Sequence, residues 1–356
     1  MWCALFALLP AARAATDACF VVPDPTSSTG VRAYPGFAPP AGVLATAEFD
    51  GGAYTSAGWG LLTVRSNSSA SLNASLASFA AGFAEGFLTA PQMADMAANI
   101  GATAPNSKRL QRFLDGNMEW MRTQVASLGF SDPYWGHAGA VLAQVEGLAA
   151  GQAAAGGALT LRDVYQLQIL GGDIFNLAPL YGASAQQLER APSVARLLAG
   201  PGKARADHCS ALVRLTPDNA DIAVAHTTWS GLENMLRILK RYDMALTGVS
   251  GAPVPGRWTA LSGYPGMPLY SSDDFYVLSS GLVALETTID NDNKTLAEEN
   301  ASEQVVLEWL RNVLANRLAT DGPSWAATFS RFASGTVRFQ RPSTPETGKN
   351  TERENP

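Results

Sequence analysis

Cys209 stands seventeen residues before His226, and each lies at the outer end of a short stretch with strand character. Residues 209–215 and 222–226 are rich in apolar and β-branched side chains, and Pro217, Asp218 and Asn219 between them supply turn chemistry. This pattern predicts a β-hairpin that brings a thiol and an imidazole to one edge of a sheet. Directly upstream, residues 198–208 carry Gly200, Pro201, Gly202 and several polar residues, the composition of an exposed loop. A backbone cut between His208 and Cys209 would place a thiol and an α-amine on one residue. Such an amine has a pKa of roughly 7.7–8, so it can serve its own sulfur as general base near neutral pH without a triad.

Plainer readings of the same residues stay open. Cys3 would leave with a leader segment, so Cys19 and Cys209 can form one bridge in an oxidising compartment or be two buried thiols acting as small apolar groups. His226 can be a satisfied histidine at a strand end, and Trp229 ordinary packing. Asp273 and Asp274 read as a turn and helix-cap pair, and Asn312 with Asn316, four apart, reads as the wet face of a helix.

Other chemistries lack their residues. There is no H-E-x-x-H, C-x-x-C, G-x-S-x-G or G-x-x-x-x-G-K-[ST] pattern, which argues against zinc peptidase, thiol redox, α/β-hydrolase and P-loop functions. His137, His208 and His226 are too dispersed for a histidine metal cluster. No metal or cofactor is expected. With 47% apolar and 16% charged residues, the 356-residue chain can bury a large core. A net charge of −6 and a pI near 5.2, with scattered Lys and Arg, leave no basic face for nucleic acid.

The elements that would position Cys209 follow from periodicity. The apolar run from Trp2 to Leu9, followed by Ala12-Arg13-Ala14, reads as a signal peptide over residues 1–15. It falls short of the about 20 apolar residues that a spanning helix needs, and no later stretch reaches that length. Sequons at Asn67, Asn73, Asn293 and Asn300 are candidate glycosylation sites and fit passage through the secretory pathway. Residues 20–50 read as an extended lead-in, and 53–64 as a strand or hairpin. Helices are expected over 70–100, with Phe79, Phe83 and Phe87 on one stripe, and over 107–128, 161–169, 232–246 and 303–319. Strands are expected at 275–279 and 282–289, and the polar, Pro-containing tail from about 337 cannot pack.

A longer pattern then becomes specific. The string Asp207-His208-Cys209-Ser210-Ala211-Leu212-Val213-Arg214-Leu215, followed by Val224-Ala225-His226-Thr227-Thr228-Trp229, resembles the start of the large fragment of phospholipase B-like proteins. Met235-Leu236-Arg237, Ser262-Gly263-Tyr264-Pro265-Gly266, Ser272-Asp273-Asp274-Phe275-Tyr276, Leu285-Glu286-Thr287-Thr288-Ile289 and the run from Leu307 to Ala319 follow in that family's order. Upstream, Gly58-Trp59, Asn117-Met118-Glu119-Trp120-Met121 and Asp132-Pro133-Tyr134-Trp135 are similar to its propeptide. The resemblance covers roughly residues 50–336.

The resemblance implies an α+β protein with the αββα sandwich of N-terminal-nucleophile hydrolases, matured by autocatalytic cleavage into two fragments that stay together. On that layout residues 16–208 form a largely helical propeptide fragment, 209–336 begin the nucleophile-bearing domain, and 337–356 are a polar tail. Family members continue well beyond Thr336, so the C-terminal part of the sandwich is expected to be missing here, with strands and oxyanion donors among what it would supply. Cys209 then matches the nucleophile, His208 and Cys209 the cleavage site, and His226, Thr228 and Trp229 the pocket around the sulfur. The implied activity is release of fatty acids from glycerophospholipids, in the lysosome or outside the cell. Two alternatives accompany it: a cysteine amidase acting on N-acyl amides, and a non-catalytic secreted glycoprotein. The expected partners are an acyl substrate and the chain's own propeptide fragment.

Overall fold

A computed structural model describes residues 16–67, 73–100, 108–169, 172–181, 209–229, 232–248, 251–269, 275–287 and 302–333. The expectations for the leader at 1–15, for His208, Asp273, Asp274, Asn293 and Asn300, and for the tail from 337 concern residues outside these.

The expected lead-in at 20–50 is instead three strands of a sheet. Strands β1 (Thr16–Pro23), β2 (Val31–Pro35) and β3 (Ala45–Asp50) form because inward and outward positions alternate, with Cys19 and Val21 on β1 and Ala45, Ala47 and Phe49 on β3 buried. Small residues hide this period from a search for bulky β-branched runs. At 53–64 the expected strand begins only at β4 (Gly60–Ser66), after a one-turn helix α1 (Ala53–Ala57).

The largest correction falls on 232–246. Only Leu232–Asn234 makes a 3-10 turn, and β7 (Ile238–Asp243) follows as a strand. Leu232 and Met235, at the start of the expected helix, are 85% and 55% exposed, whereas Ile238, Lys240 and Tyr242 alternate inward. Burial of a period-two face, including a lysine, outweighs helical spacing. Strands β8 (Trp258–Gly263), β9 (Phe275–Leu278) and β10 (Val283–Leu285) complete an eight-stranded sheet of order β10-β9-β8-β7-β4-β3-β1-β2. Every neighbouring pair is antiparallel except β4 and β7, where Gly60 aligns with Ile238 and Arg65 with Asp243 in parallel. The sheet therefore joins chain from both sides of Cys209 in the sequence.

Helix α2 (Ala74–Asn99) lies against β1, β3 and β4, and α4 (Pro133–Ala154) packs on α2. Their approach is set by glycine. A Cβ at Gly82 or Gly86 would sit 2.0 and 2.2 Å from the carbonyl oxygens of Gln144 and Leu148, and one at Gly147 or Gly151 would sit 2.0 and 2.1 Å from those of Phe79 and Phe83. Two Gly-x-x-x-Gly ridges thus let the helix backbones touch. Pro91 removes a main-chain donor from α2, which kinks at Thr89, and the Thr89 hydroxyl donates to the Glu85 carbonyl at 2.8 Å.

Helices α3 (Lys108–Leu128) and α5 (Leu161–Ile169) lie where the spacing predicts them, and α6 (Asp173–Leu180) follows. Helix α7 (Glu308–Leu318), inside the predicted 303–319, is packed beside α4 and α8 (Gly322–Phe329). Its first turn is capped from a distance, since the Asp173 carboxylate accepts from the main-chain N–H groups of Glu308 (2.9 Å) and Trp309 (3.2 Å). Asn312 and Asn316 are not a wet face. Both are buried, and a ladder runs from Asn312 Nδ2 to Glu308 Oε1, from Asn316 Nδ2 to Asn312 Oδ1, and from Trp325 Nε1 to Asn316 Oδ1. The architecture is α+β, and no helix among the described residues is long and apolar enough to cross a membrane.

Candidate active site

The predicted hairpin is present and sets the frame of the site. Strands β5 (Ser210–Leu215) and β6 (Ile222–Thr227) pair antiparallel, with Ala211 opposite His226 and Ser210 opposite Thr227. The turn is held by side chains as its composition suggests. Asp218 Oδ1 accepts from the Ala220 N–H at 3.2 Å, and Asn219 takes the left-handed φ of 55° that asparagine tolerates. Cys209 directly precedes β5 and is half-buried. It therefore lies at the same end of the ladder as His226, two residues from that histidine's cross-strand neighbour.

His226 ties the hairpin to the edge of the eight-stranded sheet. Its Nε2 is 2.7 Å from the main-chain oxygen of Glu286, just past β10, and its ring stacks on Phe275 of β9 at 6.4 Å between centroids. A carbonyl oxygen can only accept, so Nε2 carries the proton and, in the neutral ring, Nδ1 carries the lone pair. That Nδ1 faces the Thr228 hydroxyl at 3.5 Å. The structure thus brings His226 and Thr228 into contact and leaves the basic nitrogen on the Thr228 side. Trp229 lies one residue on, 54% exposed, and is not packed into the core. The rest of the hairpin is open, with Leu212, Val213, Leu215 and Ile222 all exposed.

The two described cysteines differ sharply. Neither is in a disulfide, so the proposed bridge between them is absent. Cys19 is buried on β1, its thiol donates to the Ala84 carbonyl at 3.4 Å, and burial pushes its pKa up to about 12. Such a thiol is inert packing, whereas Cys209 is half-buried at the start of the hairpin. Of the sequons, Asn73 is exposed and caps α2 by accepting from the Leu76 N–H at 2.7 Å, while the Asn67 amide donates to the Val43 carbonyl at 2.8 Å.

The upstream motif residues are engaged in packing and capping. Trp59 carries the Arg237 guanidinium over its ring at 4.1 Å, fixing the entry to β7 against the entry to β4. Asp132 caps α4 by accepting from Tyr134 N–H at 2.9 Å, Pro133 occupies its first turn, and Trp120, Tyr134, Trp135 and Phe332 form one aromatic cluster. Asn117 donates to the carbonyls of Glu303 and Val305 at 2.8 and 2.7 Å.

Periodicity did not point to the deepest polar cluster. Glu85, Lys240 and Tyr242 meet between α2 and β7, with Lys240 Nζ 2.7 Å from Glu85 Oε1 and Tyr242 Oη 2.7 Å from Glu85 Oε2. The available signal was a single carboxylate inside an alanine-rich helix and a lysine at an inward strand position.

Comparison with known proteins agrees with the motifs. The family model "Phospholipase B" matches residues 45–340. The chain is 38% identical over 241 residues to the Mus musculus protein "Putative phospholipase B-like 2", covering 65% of this chain and 38% of the mouse protein. It is 34% identical over 293 residues to the Homo sapiens protein "Phospholipase B-like 1", covering 80% of this chain and 50% of the human one. The Dictyostelium discoideum protein "Phospholipase B-like protein B" is also 34% identical, over 291 residues, 80% of this chain and 49% of that protein. The chain thus spans half or less of the length of these relatives. With its motifs in order and the family model matched over most of its length, this chain belongs to the phospholipase B family.

Proposed function

We propose that the chain is the precursor of an acyl hydrolase that releases fatty acids from glycerophospholipids, with Cys209 as the nucleophile once the His208–Cys209 peptide bond is cut. One observation carries the reading: Cys209 sits at the open end of a hairpin whose other strand presents His226 with its proton fixed on Nε2. The family names carried by the relatives support an acyl hydrolase of phospholipase type. In this reading the thiolate attacks the acyl carbonyl, and the freed α-amine takes the thiol proton and passes it to the departing glycerol oxygen. Water then hydrolyses the thioester, giving fatty acid and the restored thiol. His226 Nδ1 and the Thr228 hydroxyl orient the pocket, and Trp229 offers an aromatic surface to an acyl chain.

The same reading carries the N-terminal-nucleophile αββα arrangement, with the helices over the eight-stranded sheet as one of its halves. It also carries residues 16–208 as a propeptide that stays bound after cleavage, and a route through the secretory pathway to the lysosome or exterior. Of the two described glycan acceptors, Asn73 is exposed and Asn67 half-buried. The test is to express the full chain and its Cys209→Ala variant in a secreting host, sequence new N-termini, and measure fatty acid release from phosphatidylcholine and from an N-acyl amide. A new terminus at Cys209 with ester hydrolysis, both lost in Cys209→Ala, is the expected result. Turnover of the amide alone would move the activity to an amidase, and a polypeptide intact across residues 208 and 209 would remove the mechanism.

A further inference from the structure

Two neighbouring strands of the large sheet meet the ring of His226, and they do so at one register position. Phe275, the first residue of β9, pairs with Leu285, the last residue of β10, and Glu286 follows directly. The imidazole touches both strands here. Its Nε2 lies 2.7 Å from the Glu286 main-chain oxygen, and its ring faces that of Phe275 at 6.4 Å between centroids with 23° between the planes. On the hairpin, Val224, His226 and Thr228 share a half-buried face, whereas β5 is exposed along its whole length.

The carbonyl alone does not fix the ring. A hydrogen bond to one acceptor sets the direction of Nε2–H, yet the outer torsion of a histidine is broad, so the plane can still turn about that bond. Thr228, 3.5 Å from Nδ1, is at the outer limit of a hydrogen bond and holds the plane weakly. A near-parallel aromatic face removes the remaining freedom, because a turned imidazole loses the stacked contact. Phe275 has no donor or acceptor in its side chain and cannot move a proton itself.

From this geometry we infer that Phe275 is a positioning residue, its ring holding the His226 imidazole in the plane that presents Nδ1 on the Thr228 side. The inference rests on the proposed hydrolysis for its effect on rate, but not for its effect on the ring. The test compares wild type, Phe275→Leu, which keeps apolar bulk without a flat face, and Phe275→Tyr, which keeps the face. Phe275→Leu is expected to lower kcat by about 10- to 100-fold with KM unchanged, and Phe275→Tyr to restore it. In ¹⁵N-histidine-labelled protein, the ring nitrogens of His226, assigned by their loss in His226→Gln, should move in Phe275→Leu toward their values in the urea-unfolded chain. Wild-type nitrogen shifts in Phe275→Leu, or wild-type kcat, would overturn the inference. A wild type that turns over neither ester nor amide defeats the proposed function, and the nitrogen shifts then decide the role of Phe275 alone. Should Phe275→Leu fail to fold, the His226 ring protons of the wild type decide: upfield displacement by a stacked ring supports the inference, and undisplaced lines overturn it.

Discussion

Lys240 Nζ lies 2.7 Å from Glu85 Oε1 with both side chains fully buried, so an ion pair joins the helix layer to a strand that begins beyond Cys209 in the chain. The pair is satisfied on every side that the structure describes. Lys240 also donates to the Met267 carbonyl at 2.9 Å, and the Tyr242 hydroxyl donates to the second carboxylate oxygen of Glu85. Burial pulls the Lys240 pKa down while the Glu85 carboxylate pulls it up. Such a pair is weak evidence of net stabilisation, but breaking it strands a charge in the core.

Lys240→Met is therefore expected to cost about 3–5 kcal/mol, by leaving Glu85 buried without its cation. The double variant Lys240→Met, Glu85→Leu is expected to recover most of that loss. Urea denaturation of the three proteins checks it, and additive losses in the double variant would show that the two side chains do not act as a pair. If the chain is cut before Cys209, the single variant should also let the two fragments separate at lower urea than wild type.

Helix contact at Gly147 gives a steric prediction. Gly147→Ala puts a methyl group where the Phe79 carbonyl oxygen already stands, so α4 must move off α2. Overpacking of this kind costs typically about 1–3 kcal/mol, whereas Gly322→Ala, with nothing within 4 Å of the added atom, should stay within about 0.5 kcal/mol. Denaturation midpoints of the two variants test the contrast.

His226 has two separable duties. Its Nε2–H holds the Glu286 carbonyl, and its Nδ1 is the basic atom. His226→Gln keeps a donor for the carbonyl but has no basic nitrogen, and His226→Leu loses both. If Nδ1 moves protons in the reaction, both variants should lose about 10²-fold or more in kcat/KM. Only His226→Leu should also lower stability, by about 0.5–1.5 kcal/mol for the missing hydrogen bond. Equal turnover in wild type and His226→Gln would confine His226 to a structural role.

His137 predicts the acid side of the stability curve. Burial, with a smaller contribution from the nearby Arg317 charge, holds its pKa down at about 3, below the ordinary 6.5. The unfolded chain therefore binds a proton at this site between those values and the folded chain does not. Stability from this group is complete above about pH 6.5 and is lost as pH falls toward 3, amounting to about 3 kcal/mol between pH 6.5 and 4. His137→Leu should flatten that part of the profile, as read by urea denaturation at pH 7 and pH 4. An unchanged slope would mean that other groups carry it.

Local chemistry alone determined a good part of this protein. Turn residues at Pro217, Asp218 and Asn219 between two apolar runs were enough for the β5–β6 hairpin, because a turn and its flanking strands are a short-range problem. The 3.6-residue spacing of Leu110, Leu114 and Met121 was enough for α3, and Leu161–Ile169 appears as predicted. Cys209 and His226 at one end of a ladder follow from counting along two paired strands.

Tertiary structure decided what depends on partners distant in sequence. Lys240 looks like a solvent residue on a helix until Glu85, 155 positions away, provides a buried counter-charge, and then 238–243 becomes an inner strand. Asn312 and Asn316 look like a wet face because the sequence does not reveal that α8 and Trp325 close over them. The nearly featureless Ala/Gly surface of α4 has no stripe to read, since its contact with α2 is made by backbone through glycine. Arg317 shows the same limit: its position fits an ordinary helix end, and only packing on all sides makes it a buried residue. Periodicity reports which residues share a face, but burial depends on what the rest of the chain brings to that face.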